Sequence, residues 1–146
     1  MFRPRRMRLA GSLAVVVAVA VGVLAPPASA STARLVDVLL PPDCRFPPPG
    51  GTCPPRSATA LVYRAAGGEE NRVELASVAG EVTIADPGAV IQPGEGCRPV
   101  DSDEVRCTRP WTVFVDTGGG ADRVRSAFGG VVANGGAGRD VLVGGS

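Results

Sequence analysis

The chain has 146 residues, with 15 basic side chains, all of them arginine, against 14 acidic ones, and no histidine. A formal charge of +1 gives none of the basic excess that nucleic-acid binders carry, so no nucleic-acid partner is expected. Without histidine the usual base of serine and cysteine triads is missing, and the chain is not expected to be an enzyme.

Arg3, Arg5, Arg6 and Arg8 precede an apolar run from Leu13 to Leu24, and Ala28-Ser29-Ala30 supplies a small-residue cleavage site. Residues 1–30 are therefore predicted to be a secretory signal peptide, and the mature protein a secreted, extracellular one beginning at Ser31. The apolar run is too short for a membrane span, and none is expected after cleavage. Cleavage removes four arginines and no acid, which leaves eleven arginines against fourteen acids, a net charge of −3.

Residues 31–57 read as a Pro-rich, disulfide-closed linker segment. Leu35 to Leu40 is an apolar patch suited to an edge strand. Pro41-Pro42, Pro47-Pro48-Pro49 and Pro54-Pro55 then rule out helix and central strand alike. The four cysteines, Cys44, Cys53, Cys97 and Cys107, suit disulfides in an exported chain, since there is no C-x-x-C spacing and no histidine to complete a zinc site. Three connectivities are possible. The local pairs Cys44–Cys53 and Cys97–Cys107 are favoured because each brackets a short, turn-rich segment, and a ring of about ten residues stabilises by roughly 3 kcal/mol. Pinned in this way, the Pro-rich loop also suits recognition of an extracellular partner, which the sequence does not identify.

Residues 58–116 form a predicted β-strand region. Leu61-Val62-Tyr63 is a short strand ended at Gly67-Gly68, and Arg72–Leu75 and Glu81–Ile84 alternate polar and apolar residues as half-buried strands do. Asp86-Pro87-Gly88 and Pro93-Gly94 are turn signals. Trp111, Val113 and Val115 are expected on one strand face, and Tyr63, Trp111, Phe114 and Phe128 are the expected large anchors of a thin core. No stretch of the mature chain has the periodicity of an amphipathic helix.

Residues 117–146 carry a repeat. Gly135-Gly136-Ala137-Gly138-Arg139-Asp140-Val141-Leu142-Val143 fits G-G-x-G-x-D-x-U-x, where U is a large apolar residue. Glycines let the backbone turn tightly with carbonyl oxygens inside the turn, and the aspartate adds a charged oxygen that a hard cation prefers. Residues 117–125, Thr-Gly-Gly-Gly-Ala-Asp-Arg-Val-Arg, keep Gly118, Gly120, Asp122 and Val124 in register. Residues 126–134 keep only Gly129, with Val131 at the aspartate position. The eighth column still runs Val115, Val124, Ala133, Leu142, apolar at every step, and the next repeat breaks off at Gly144-Gly145-Ser146.

These nonapeptides resemble the RTX, or hemolysin-type, calcium-binding repeat proteins, and the preceding β region looks like that of small secreted bacterial members. The resemblance implies a parallel β-roll in which two nonapeptides make one coil of 18 residues, the separation of Asp122 and Asp140. It implies one Ca2+ site, shared by Asp122 and Asp140 with the carbonyls of Gly118, Gly120, Gly136 and Gly138. The expected architecture is thus all-β: a disulfide-stapled strand region leading into a short C-terminal parallel β-roll, an RTX-type solenoid. The expected function is that of a secreted calcium-binding protein whose roll is folded by the ion. The alternative is a disulfide-stapled β interaction module that binds through its Pro-rich loop, with vestigial glycine repeats.

Overall fold

The computed structural model describes residues 30–42 and 50–145; the predicted signal peptide up to residue 29, the segment 43–49 with Cys44, and Ser146 lie outside the described residues. All regular elements among the described residues are strands. The fold is all-β.

Strand β1 (Ser31–Leu40) alternates buried and exposed residues at its start and stops at Pro41-Pro42. It runs antiparallel to β2 (Arg56–Arg64) along most of its length, from Thr32 opposite Arg64 to Leu40 opposite Arg56. The first residues of the segment read as a linker are thus built into a sheet. Strand β5 (Ile91–Pro93) pairs in parallel with only its first three residues, so among the described residues Val36–Leu40 have β2 as their one strand neighbour and form a sheet edge, as expected for the Leu35–Leu40 patch. On the far side of β2, β8 (Thr112–Asp116) and then β11 (Val131–Asn134) join in parallel, completing a five-stranded sheet in the order β11-β8-β2-β1-β5.

The second sheet is centred on a hairpin. Strand β3 (Arg72–Val78) turns through Ala79-Gly80 into β4 (Glu81–Ala85). Both turn residues have positive φ, 50° and 81°, as a two-residue primed turn requires. Strands β7 (Glu104–Thr108) and β6 (Cys97–Pro99) follow β4 antiparallel, and the Cys97–Cys107 disulfide joins them as predicted. On the other side β10 (Arg123–Ser126) and β13 (Val141–Val143) add in parallel, giving the order β13-β10-β3-β4-β7-β6. Cys53 is also disulfide-bonded; its predicted partner, Cys44, lies outside the described residues.

Between residues 112 and 143 every parallel pair joins positions 18 apart: Val113 opposite Val131, Arg123 opposite Val141, and Gly119 opposite Ala137 in the two-residue strands β9 (Gly119–Gly120) and β12 (Ala137–Gly138). Four times the chain crosses from the five-stranded to the six-stranded sheet, through loops 65–71, 94–96, 117–122 and 135–140. Residues 79–111, which hold β4 to β7 and the 94–96 crossing, separate loop 65–71 from loops 117–122 and 135–140.

One buried cluster combines Ala33, Leu61, Tyr63, Ile91, Val113 and Val115 of the first sheet with Val73, Leu75, Val82, Ile84, Val105 and Val124 of the second. Tyr63 is the one expected aromatic anchor that is fully buried. Trp111 does not share the inward face of Val113 and Val115. It precedes β8, so the strand's alternation does not govern it, and it is 65% exposed. The apolar column fades toward the outer coil: Val124 is 2% exposed, whereas its neighbour Leu142, on edge strand β13, is 47% exposed.

Candidate metal centre

Parallel pairing dictates which loop residues meet. Arg72, Arg123 and Val141 lie side by side on β3, β10 and β13. Each preceding residue therefore falls in one column along the loop edge: Asn71, Asp122, Asp140. Hydrogen bonds tie the column together. The Asn71 N–H donates to Asp122 Oδ1 at 2.9 Å, and the Asp122 N–H donates to Asp140 Oδ1 at 3.2 Å. The main chain repeats the link, with Arg123 N–H donating to the Asn71 carbonyl and Val141 N–H to that of Asp122, at 2.9 and 2.8 Å. Asp122 and Asp140, predicted as a pair, are brought together.

The predicted glycines sit directly above one another. Gly118, Gly120, Gly136 and Gly138 have φ of 81°, 141°, 71° and 145°, a region that glycine enters at no steric cost. Close approach makes three of them obligatory: a Cβ on Gly120 would fall 2.3 Å from the Glu69 carbonyl oxygen. A Cβ on Gly136 would fall 1.6 Å from the Gly118 carbonyl oxygen, and one on Gly138 would fall 1.6 Å from that of Gly120. The Gly118 carbonyl also accepts the Ala137 N–H at 3.0 Å, which leaves it one lone pair for another ligand.

The column has two different ends. At the inner end Asp86, fully buried, accepts from the Tyr63 hydroxyl at 2.6 Å, Asn71 Nδ2 at 2.9 Å and the Arg72 N–H at 2.7 Å. Burial, reinforced by the bond to Asp86, pushes the Tyr63 phenol well above its ordinary pKa. Asp122, 1% exposed, has one oxygen bonded and the other, Oδ2, buried without a hydrogen-bond partner; Asn71 Oδ1 is left the same way. Asp140 is partly exposed on the outer coil. An orphaned carboxylate oxygen carries a large desolvation cost, and a hard cation with oxygen ligands is the chemistry that relieves it. The donors at hand are all oxygens, which suits calcium and not zinc. Among the described residues there is no group of three or more His, Cys, Asp or Glu side chains placed to hold a metal, so any site here depends on main-chain and amide oxygens beside the two aspartates.

The sequence marks Tyr63 only as a core anchor and Asp86 only as a turn residue, and nothing local in it marks Asn71. Asn71-Arg72-Val73 echoes Asp122-Arg123-Val124, with Gly67-Gly68 ahead of one and Gly118-Gly119 ahead of the other. The echo is hard to see because Arg72 and Arg123 are 51 residues apart rather than 18. Asp86-Pro87-Gly88 reads as a turn, and it is one, the Ala89 N–H donating to the Asp86 carbonyl at 3.0 Å. Nothing local marks the Asp86 carboxylate as the acceptor for three distant donors. No family model matches the chain, and neither the curated proteins nor the solved structures contain a match to it.

Proposed function

We propose that this is a secreted calcium-binding protein in which the ion clips the outer coil, residues 117–146, onto a disulfide-stapled β domain as a short RTX-type β-roll. The observation that carries the reading is Asp122 Oδ2, buried and unpartnered, in a column that the 18-residue register extends to Asp140. When bound, calcium would supply a positive charge between the two carboxylates and a partner for the carbonyls of Gly118, Gly120, Gly136 and Gly138. Carboxylates stacked at the strand spacing of about 4.8 Å repel by roughly 3 kcal/mol at an effective dielectric near 20. The unfolded chain offers no such site, so binding energy becomes folding energy. With a single site the affinity expected is about 10⁻⁴ to 10⁻³ M, the range of extracellular modules. Export agrees with this picture, since β1 begins at Ser31, directly after the predicted cleavage site.

A calcium titration followed by circular dichroism and thermal melting tests the proposal. The wild-type chain should gain β signal and melt higher as calcium rises. Asp122→Ala and Asp140→Ala should each remove the response almost as fully as the double substitution. Asp116→Ala should leave it nearly intact, because that carboxylate lies outside the column and faces Arg64 at 3.9 Å. Half of the response surviving in each single variant would rule out a shared ion.

A further inference from the structure

Next to the aspartate column, the outer face of the six-stranded sheet carries a cleft of about 540 Å³, lined by Arg72, Arg123, Arg125 and Arg139 together with Glu70 and Glu74. The parallel register produces it. Arg72 lies directly beside Arg123 and Glu74 beside Arg125, while Arg139 reaches the cleft from loop 135–140. All four arginines are exposed, and among the described residues none of them makes an ion pair. Like charges directly opposite on neighbouring strands oppose folding, so the Arg72–Arg123 pair is a cost that Glu70 and Glu74 on the same cleft offset only in part, neither forming an ion pair with it among the described residues. Asp122 also lines the cleft, but it is buried and its bonded oxygen is engaged with Asn71.

We propose that this cleft is a binding site for phosphate groups of a small soluble polyphosphate, with one phosphate held between Arg72 and Arg123. Neighbouring strands are about 4.8 Å apart, so two guanidinium forks can converge on one anion. A carboxylate offers two oxygens and is filled by a single fork. A terminal phosphate offers three oxygens and nearly two charges, enough for both. Arg125 and Arg139 flank the pair and take the next phosphates of the ligand. The inference is independent of the calcium reading, because none of these side chains is a proposed calcium ligand.

Isothermal titration calorimetry of the full chain with sodium tripolyphosphate, in resin-treated metal-free buffer of low ionic strength, tests it. Saturable binding is expected, weakening as salt is raised, as exposed charge pairs do. The double variant Arg72→Gln/Arg123→Gln should bind at least tenfold more weakly with an unchanged circular dichroism spectrum, and Arg139→Gln alone about threefold more weakly. Arg34→Gln/Arg109→Gln removes the same charge elsewhere and should bind as the wild type does. No saturable heat, an equal loss in the Arg34/Arg109 variant, or citrate binding as tightly as tripolyphosphate would each overturn the proposal.

Discussion

The two ends of one column of side chains meet the same problem with different means. At the inner end Asp86 is surrounded by three protein donors and completely withdrawn from water. At the outer end Asp122 and Asp140 find one main-chain donor each, and a buried oxygen of Asp122 is left over. A buried carboxylate is tolerated only when its oxygens are satisfied, by hydrogen bonds or by a cation. The Asp86 carboxylate is therefore satisfied by the polypeptide alone, while Asp122 Oδ2 and Asn71 Oδ1 are not, and the proposed cation would complete the outer end. The apolar column reads the same way, since Val124 is sealed beneath its neighbours and Leu142 is half open.

The sharpest way to break the comparison is at Asp86. Asp86→Ala leaves the Tyr63 hydroxyl, the Asn71 amide and the Arg72 N–H without their acceptor, and should cost about 3–5 kcal/mol in urea denaturation. Calcium should not restore the loss, because the damaged end does not depend on it. Full rescue by calcium would mean that the two ends are not distinct.

A smaller and more local effect is expected at Gly136. The Cβ of Gly136→Ala cannot coexist with the Gly118 carbonyl oxygen, and the positive φ adds strain, so the outer loop should detach at a cost of about 2–3 kcal/mol. Gly144→Ala meets nothing within 4 Å and should change stability by less than about 0.5 kcal/mol. Thermal melts of the two variants, with calcium held fixed, make the comparison.

Tyr63→Phe removes one donor from Asp86 and should cost about 1.5–2 kcal/mol, as for a hydrogen bond to a charged group. The same contact sets an alkaline limit. The folded phenol holds its proton more tightly than the unfolded one, so its contribution is fully present below the unfolded pKa of about 10 and is lost as pH rises beyond it. Tyr63 is the only tyrosine, so tyrosinate absorbance should rise together with unfolding rather than before it.

Much of this was legible beforehand. Strong alternation marked β3 and β4, and export chemistry with short spacing marked the Cys97–Cys107 staple between β6 and β7. The resemblance to repeats with an 18-residue coil implied that Asp122 stacks on Asp140, and the glycine and aspartate spacing that carries that resemblance is a local property of the chain. What escaped was long-range. The first crossing loop is separated from its neighbours by residues 79–111, which hid the kinship of Asn71 with Asp122. Asp86 looked like a turn former because its donors come from two other segments. Trp111 was misplaced because strand alternation was extended one residue too far, to a position that precedes β8.

The central claim is that protein donors hold the inner end of the column while a cation holds the outer end. Hydrogen exchange with and without calcium tests it most directly, because the amides of Arg72, Asp122 and Val141 report successive coils. The account predicts that calcium slows exchange strongly at Asp122 and Val141 and through 135–143, while Arg72 and the strands of 81–108 exchange at unchanged rates. Protection that rises equally at Arg72 and Val141, or at neither, would contradict it.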